Sequence, residues 1–394
     1  MAERRPQRIV EIDHLRAIAI VTVLFVHVSS GFVSRGTPGL GVLYADMFMD
    51  TLAHYAIPLF TLVSGFSLAL GYYAPLDLRT FYRRRAARTL PPFLVFSVLY
   101  SVGRLWRGDV SLQRAILDLF TGRAEYHLYF FVVIIPLYLI YPLLVRLHQR
   151  TKGRTQRVLA GLALLQIVWW ALSLVVGNLD TLTVAGYTLS GGMLGLVQFF
   201  VKRAFVMYLF YFYLGICCAR DWETLKPRLL AWRKAWWRPA LLGIVIVALI
   251  SYLFAVRFDF VRLPQLLAFA LQSVAELLIY TSAIYLLFLL ANLLTSKASF
   301  WSALSLQISR LSMGIYLVHV AVQRGVDWVL GALNLIPATL VAYRYALPIT
   351  LGVTMLVVHA LSYLPWAPTW LGVTPARLSL KARTCDEAGG EGRV

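Results

Sequence analysis

Apolar stretches of membrane-spanning length recur along this chain, near 11–33, 50–73, 89–105, 126–147, 158–177, 196–217, 239–256, 265–293, 312–333 and 344–365. A spanning helix needs roughly 20 predominantly apolar residues to cross a hydrocarbon core of about 30 Å. Hydrophobic residues fill 60% of the 394 positions and charged ones only 14%, so ten such helices use nearly all the apolar content and leave no room for a large water-soluble domain. The expected fold class is therefore an all-α integral membrane protein, a bundle of about ten transmembrane helices. It forms one domain over 1–365, and the polar, Gly-rich residues 366–394 are expected to be a disordered cytoplasmic tail.

The formal charge of +19 would suggest a nucleic-acid partner in a soluble protein. In a membrane protein it has another source, because cytoplasmic loops collect Lys and Arg. With the N-terminus inside, 26 of the 37 basic residues fall in inner regions and 11 in outer ones, which supports both termini in the cytoplasm and no nucleic-acid partner. The basic start at Arg4, Arg5 and Arg8 resembles a signal peptide, but Asp13, His14 and Arg16 interrupt the apolar run, so a retained first helix is expected. Cys217, Cys218 and Cys385 have the wrong spacing for a zinc pair or a disulfide framework, and no metal is expected.

Ionisable groups inside spans are costly and mark function. Arg16 and His27 are eleven residues apart, which returns to the same helical face within about 20° and advances roughly 16 Å. Asp13 shares that face, and His14 does not. An imidazole near mid-membrane suits a general base at neutral pH; the competing reading is a buried neutral histidine bonded to a neighbouring helix. Arg85 and Arg88 lie one turn apart in what reads as a loop before the third span. They fit either an anchor for anionic lipid or, together with Arg16 on the same side, an anion site. Glu125 and His127 begin the fourth span and read as substrate contacts or solvated interface residues. Glu276, within the eighth, reads as half of a structural pair with an Arg or as a catalytic carboxylate, and His359 as a packed histidine.

Several chemistries are excluded by motif. The chain has no His-Glu-x-x-His zinc motif, no P-loop and no His-x4-Asp among its seven histidines. Ser64, in Leu62-Val63-Ser64-Gly65-Phe66, lacks the preceding Gly of a nucleophile elbow.

The pattern resembles the membrane acyltransferase family 3. Ile12-Asp13-His14-Leu15-Arg16 followed by His27 is similar to that family's Arg-x10-His first-helix motif. Pro58 to Phe66 is similar to its second-helix signature, and Arg85-x-x-Arg88 followed by Pro91 to its Arg-x-x-Arg motif. Ser312-Met313-Gly314-Ile315-Tyr316-Leu317-Val318-His319 is similar to a late-helix signature. His127-Leu128-Tyr129-Phe130 is similar to a segment of the branch that includes bacterial surface-polysaccharide O-acyltransferases, from which Pro136 departs.

The resemblance implies transfer of an acyl group, often acetyl, from cytosolic acyl-CoA to a sugar hydroxyl of a cell-surface or lipid-linked glycan, in the bacterial cytoplasmic (inner) membrane. Arg16, Arg85 and Arg88 are then expected to hold the CoA phosphates. The roughly 16 Å from Arg16 to His27 is comparable with an extended pantetheine arm. His27 is the expected base, with Asp13 orienting Arg16 or nearby groups; Glu125, His127, Tyr316, His319 and Ser64 are the candidate substrate contacts. Ser64 also fits a small residue at a close helix crossing. Expected partners are acyl-CoA, a glycan or glycolipid acceptor, membrane lipids and polysaccharide-biosynthesis proteins. The alternative function is a transporter or flippase for a glycan or lipid-linked sugar, which an internal repeat with broken helices would favour; none is evident in the sequence.

Overall fold

A computed structural model describes residues 8–35, 53–73, 76–184, 187–256, 265–333 and 343–373. Among the described residues the fold is helical apart from one pair of strands. In chain order the helices are α1 (Val10–Arg35), α2 (Ala56–Gly71), α3 (Leu78–Trp106), α4 (Leu112–Thr121), α5 (Tyr129–Arg150) and α6 (Thr155–Gly177). They continue as α7 (Gly191–Lys202), α8 (Val206–Arg220), α9 (Trp222–Ala231), α10 (Arg233–Val256), α11 (Gln265–Ser296), α12 (Phe300–Ala332), α13 (Tyr343–Leu361) and the short α14 (Ala367–Trp370). Between α6 and α7, β1 (Thr181–Val184) pairs antiparallel with β2 (Tyr187–Ser190), where the sequence reading placed a connecting loop.

Among the described residues, four segments are long and apolar enough to cross a membrane: Leu112–Arg150, Thr155–Gly177, Gly191–Arg220 and Ala270–Ser296. Ala56–Gly71 and Tyr345–Leu361 are shorter apolar helices. By length alone α1 with 26 residues, α3 with 29 and α12 with 33 also exceed the roughly 20 that a bilayer requires.

The chain forms two compact units. The first contains the opening turn of α1, α2, α5 to α11 and the pair of strands. Its tightest feature is the packing of α2 on α8, and the sequence explains it. Both helices carry a Gly-x-x-x-Ala step, Gly65 to Ala69 and Gly215 to Ala219, and small residues one turn apart let two backbones approach. A methyl group at Gly65 would run into the carbonyl of Phe212, and one at Gly215 into the carbonyl of Leu62. Ser64, next to Gly65, is half-buried on α2 in this unit.

Some buried polar groups of this unit pair with one another. Lys226 pairs with Glu11, and the Tyr73 hydroxyl shares a proton with His148 Nδ1 at 2.7 Å. Glu276 has a different environment from the Arg pair considered above: its carboxylate accepts from Gln272 Nε2 at 3.0 Å and from the Tyr280 hydroxyl at 3.3 Å. The sixth expected span, 196–217, is two helices rather than one. Arg203 ends α7, its guanidinium 4.4 Å from the centre of the Phe199 ring and 5.1 Å from that of Tyr129. Breaking the helix lets this charge rest on two ring faces.

The second unit contains the rest of α1, α3, α4, α12, α13 and α14. Arg85 and Arg88 do not lie in a loop: α3 begins at Leu78, so the basic segment is the first half of a helix that passes through Pro91 and Pro92. α4 was also expected as loop. It is capped by Ser111, whose hydroxyl accepts from the Arg114 N–H, and closed by Gly122 at φ 70°. Its ten residues cover about 15 Å, half of a bilayer core, and Gly122 separates it from α5. Leu112, Ile116, Leu117 and Phe120 form its exposed apolar side, whereas Asp118 is buried and paired with Arg104 at 3.0 Å and Arg114 at 3.1 Å. That division is the pattern of a helix lying in a membrane interface.

The fold continues past the expected boundary at 365. Trp370 stacks on Phe96 at 6.4 Å, and Leu371 and Val373 are buried against the position of Gly314 on α12. Trp370, Leu371 and Val373 thus pack on α3 and α12. The start of the second expected span at 50–52 and residues 374–394 lie outside the described residues. His359, expected as packed, is exposed on α13 and bonded to the Tyr363 hydroxyl at 3.2 Å.

The helix crossing predicts a sharp contrast. Gly65→Ala should lower the stability of the detergent-solubilised protein by about 1–3 kcal/mol, the usual cost of overpacking. Gly161→Ala, on an open face of α6, should be neutral or stabilising. Thermal unfolding of the two variants checks this, and equal melting points would refute the close-approach account.

Candidate active site

The second unit gathers three histidines from distant parts of the chain. His27 is half-buried on α1. Its ring stacks on that of His319 from α12, with centroids 5.2 Å apart and planes 19° from parallel. His127, in the turn Tyr126–Leu128 that precedes α5, meets His319 edge-on at 5.0 Å. Tyr126 closes the other side of His27 at 4.8 Å, while Tyr100 and Tyr316 each lie 5.3 Å from His127. His127 and His319 are buried, at 1% and 0% exposure, so their protonation is controlled by the few groups that reach them.

Hydrogen bonds fix much of this arrangement. His319 Nδ1 lies 2.7 Å from the carbonyl of Tyr316 and 3.1 Å from that of Ile315. Carbonyls only accept, so Nδ1 carries the proton and Nε2 of the neutral ring presents its lone pair. Nε2 is buried and, among the described residues, makes no hydrogen bond; the same holds for both ring nitrogens of His127. The Tyr316 hydroxyl donates to the carbonyl of His127, and Gln323 Nε2 donates to the carbonyl of His27 at 2.8 Å. Through these two bonds α12 holds both other histidines by their backbones. Tyr100 joins α3 to the same helix by donating to the carbonyl of Leu317 at 2.9 Å.

Beside His127, the Glu125 carboxylate is 5% exposed and pairs with Arg324 at 2.7 Å. Among the described residues no group of His, Cys, Asp and Glu side chains is arranged to hold a metal ion. The three imidazoles are stacked or edge-on rather than aimed at a common point.

The candidate residues thus fall into separate groups. His27, Glu125, His127, Tyr316 and His319 are brought together. Arg16, Arg85 and Arg88 belong to the same unit, Arg16 on α1 and the other two on α3; Arg85 is half-buried and Arg88 exposed. Asp13 and Ser64 are in the first unit, and Asp13 Oδ2 accepts from Arg8 Nε at 2.7 Å. The sequence reading missed Tyr100, Gln323 and Arg324 as site residues. Gln323 had a local signal, one helical turn beyond His319 and hence on its face. Tyr100 and Arg324 had none, because their partners come from elsewhere in the chain.

A helical membrane protein with a buried cluster of histidines, tyrosines and one ion pair has the form of a membrane enzyme. A family model described as an acyltransferase domain matches residues 9–367, and the chain belongs to this acyltransferase family 3. No curated protein and no solved structure matches it.

The Glu125–Arg324 pair makes an asymmetric prediction. Arg324→Gln leaves a buried carboxylate without its cation, whereas Glu125→Gln removes the buried charge. Arg324→Gln should therefore be the more destabilising of the two, by about 1–3 kcal/mol. Melting curves in detergent measure this, and the reverse order would show that the pair contributes little.

Proposed function

We propose that the protein is an O-acyltransferase that moves a short acyl group, most simply acetyl, from cytosolic acyl-CoA to a hydroxyl of a cell-surface or lipid-linked glycan. The observation that carries this reading is the stacking of His27 on His319, next to His127, within a membrane-embedded unit of an acyltransferase-family chain. A neutral imidazole suits proton transfer from an alcohol.

In this mechanism His27 takes the proton of the acceptor hydroxyl as its oxygen attacks the thioester carbonyl. The C–S bond then breaks, and the CoA thiolate leaves with the proton from His27, giving an ester and free CoA. His319 Nε2 and His127 accept hydrogen bonds from the acceptor and, with Tyr316, set its position; Glu125 contributes to the same surface. Arg16, Arg85 and Arg88 bind the CoA phosphates, for which guanidinium groups are well suited. Asp13, paired to Arg8, tunes the basic entrance of α1. Ser64 serves the α2–α8 crossing, where its neighbour Gly65 has no room for a side chain. The ten-span topology with both termini in the cytoplasm, and a bacterial inner-membrane location, put the basic groups on the side where CoA is found.

Acetyl-CoA turnover by the purified full-length protein tests this. His27→Ala should lower kcat at least about 100-fold, the lower range of general-base contributions. Replacing Arg85 and Arg88 together by Ala should raise KM for acetyl-CoA about tenfold or more, as expected for one lost interaction of about 1.4 kcal/mol. Wild-type protein that neither binds nor consumes any acyl-CoA would overturn the proposal.

A further inference from the structure

The second unit also contains a cleft of about 600 Å³ between α3, α12 and the end of the chain, bounded by Phe96, Leu99, Tyr100, Arg107, Arg324 and Trp370. Its size falls within the range of ligand pockets, but its polarity is uneven. From Phe96 on α3 to Arg107, just past its end, is an advance of roughly 16 Å. Trp370 stacks on Phe96 at the end away from the guanidiniums. Leu361 and Val318 add to the apolar wall, and the polar character lies mainly in Arg107 and Arg324.

Both guanidiniums retain donors. Arg107 Nε meets the exposed carboxylate of Asp109 at 2.9 Å, and Arg324 uses Nη2 toward Glu125 at 2.7 Å. Each has five N–H donors, so the remainder can bind a further anion. The other wall of the cleft faces the histidines through shared residues. Tyr100 lines the cleft and touches His127, and Arg324 lines it and holds Glu125.

We infer that the cleft is the binding site of a single-chain lipid phosphate, its apolar chain lying along Leu99, Val318 and Leu361 toward the stacked Phe96–Trp370 pair and its phosphate held by Arg107 and Arg324. At roughly 30 Å³ per methylene-sized group, about the share of one water molecule, the volume accommodates about twenty such groups. That is sufficient for one chain. The inference rests on the acyl-transfer reading for one consequence: a hydroxyl-bearing group attached to that phosphate is delivered beside His127 and His27, so the acceptor is lipid-linked.

The test uses the full-length protein in phosphatidylcholine nanodiscs and radiolabelled geranylgeranyl phosphate as probe. Saturable binding is expected, at least tenfold weaker for geranylgeraniol, which lacks the phosphate. Arg107→Gln should weaken binding of the phosphate about tenfold, and Ala321→Phe, which fills the cleft, should abolish it. Leu99→Trp on the opposite wall provides a second filler should Ala321→Phe fail to fold. Unchanged binding in the folded fillers, equal binding of the alcohol, or displacement of the probe by an equal concentration of phosphatidylglycerol would overturn the assignment. Acetyl-CoA binding is measured separately, without the probe. Its loss in wild-type protein that still binds geranylgeranyl phosphate would refute acyl transfer and leave the cleft assignment standing.

Discussion

The contact between α1 and α12 is the constraint on which the site depends. In a bilayer a polar side chain cannot be left to water, so each one that enters must meet another polar group or a cavity. Here His27 meets His319 ring to ring, and the Gln323 amide reaches across to the His27 carbonyl at 2.8 Å. The amide bond sets the rotation of α1 against α12. Once that rotation is set, the His27 face of α1 is directed toward the histidine cluster.

A second consequence concerns tautomers. Because the Tyr316 and Ile315 carbonyls fix the His319 proton on Nδ1, the lone pair of Nε2 is available without any further conformational choice. Preorganisation of this kind is more effective than adding a stronger base, since a misplaced acceptor loses the benefit of proximity. The Tyr316 hydroxyl extends the same logic to His127 by holding its backbone carbonyl. One helix, α12, therefore positions all three imidazoles, two through their main chains and one through its own local turn.

How much of this was legible in the sequence depended on the range of the contact. The helical class followed from hydropathy, and the common face of Arg16 and His27 from helical periodicity, because both are properties of one segment. His319 was marked by its motif. Its meeting with His127 was not readable, since the Tyr316–His127 bond links residues 189 apart in the chain, and no single segment encodes such a distance. The errors have equally local causes. The run Arg83-Arg84-Arg85 looked like a loop because charge was taken to end the helix, yet α3 continues through it by keeping Phe81 and Thr89 buried while Arg83, Arg84 and Arg88 face outward. α4 had no signal of spanning length, because its ten residues are too few to cross a bilayer.

The two units solve the same problem of membrane packing with different chemistry. Without a hydrophobic force between apolar helices in lipid, association must come from close backbone approach or from polar contacts. The first unit uses the former at α2 and α8, where paired Gly-x-x-x-Ala steps bring carbonyls against glycines. The second also has a close approach, at Gly314 against Val358, but adds bonds between segments through Tyr100, Gln323 and the Glu125–Arg324 pair. Polar contacts are the costlier way to join helices, because every buried donor and acceptor must then be matched. In the second unit these contacts cluster around His127 and His319, on the part of α12 that the Tyr316 hydroxyl, the His319 ring and Gln323 occupy, whereas the close approach at Gly314 faces α13 and the end of the chain.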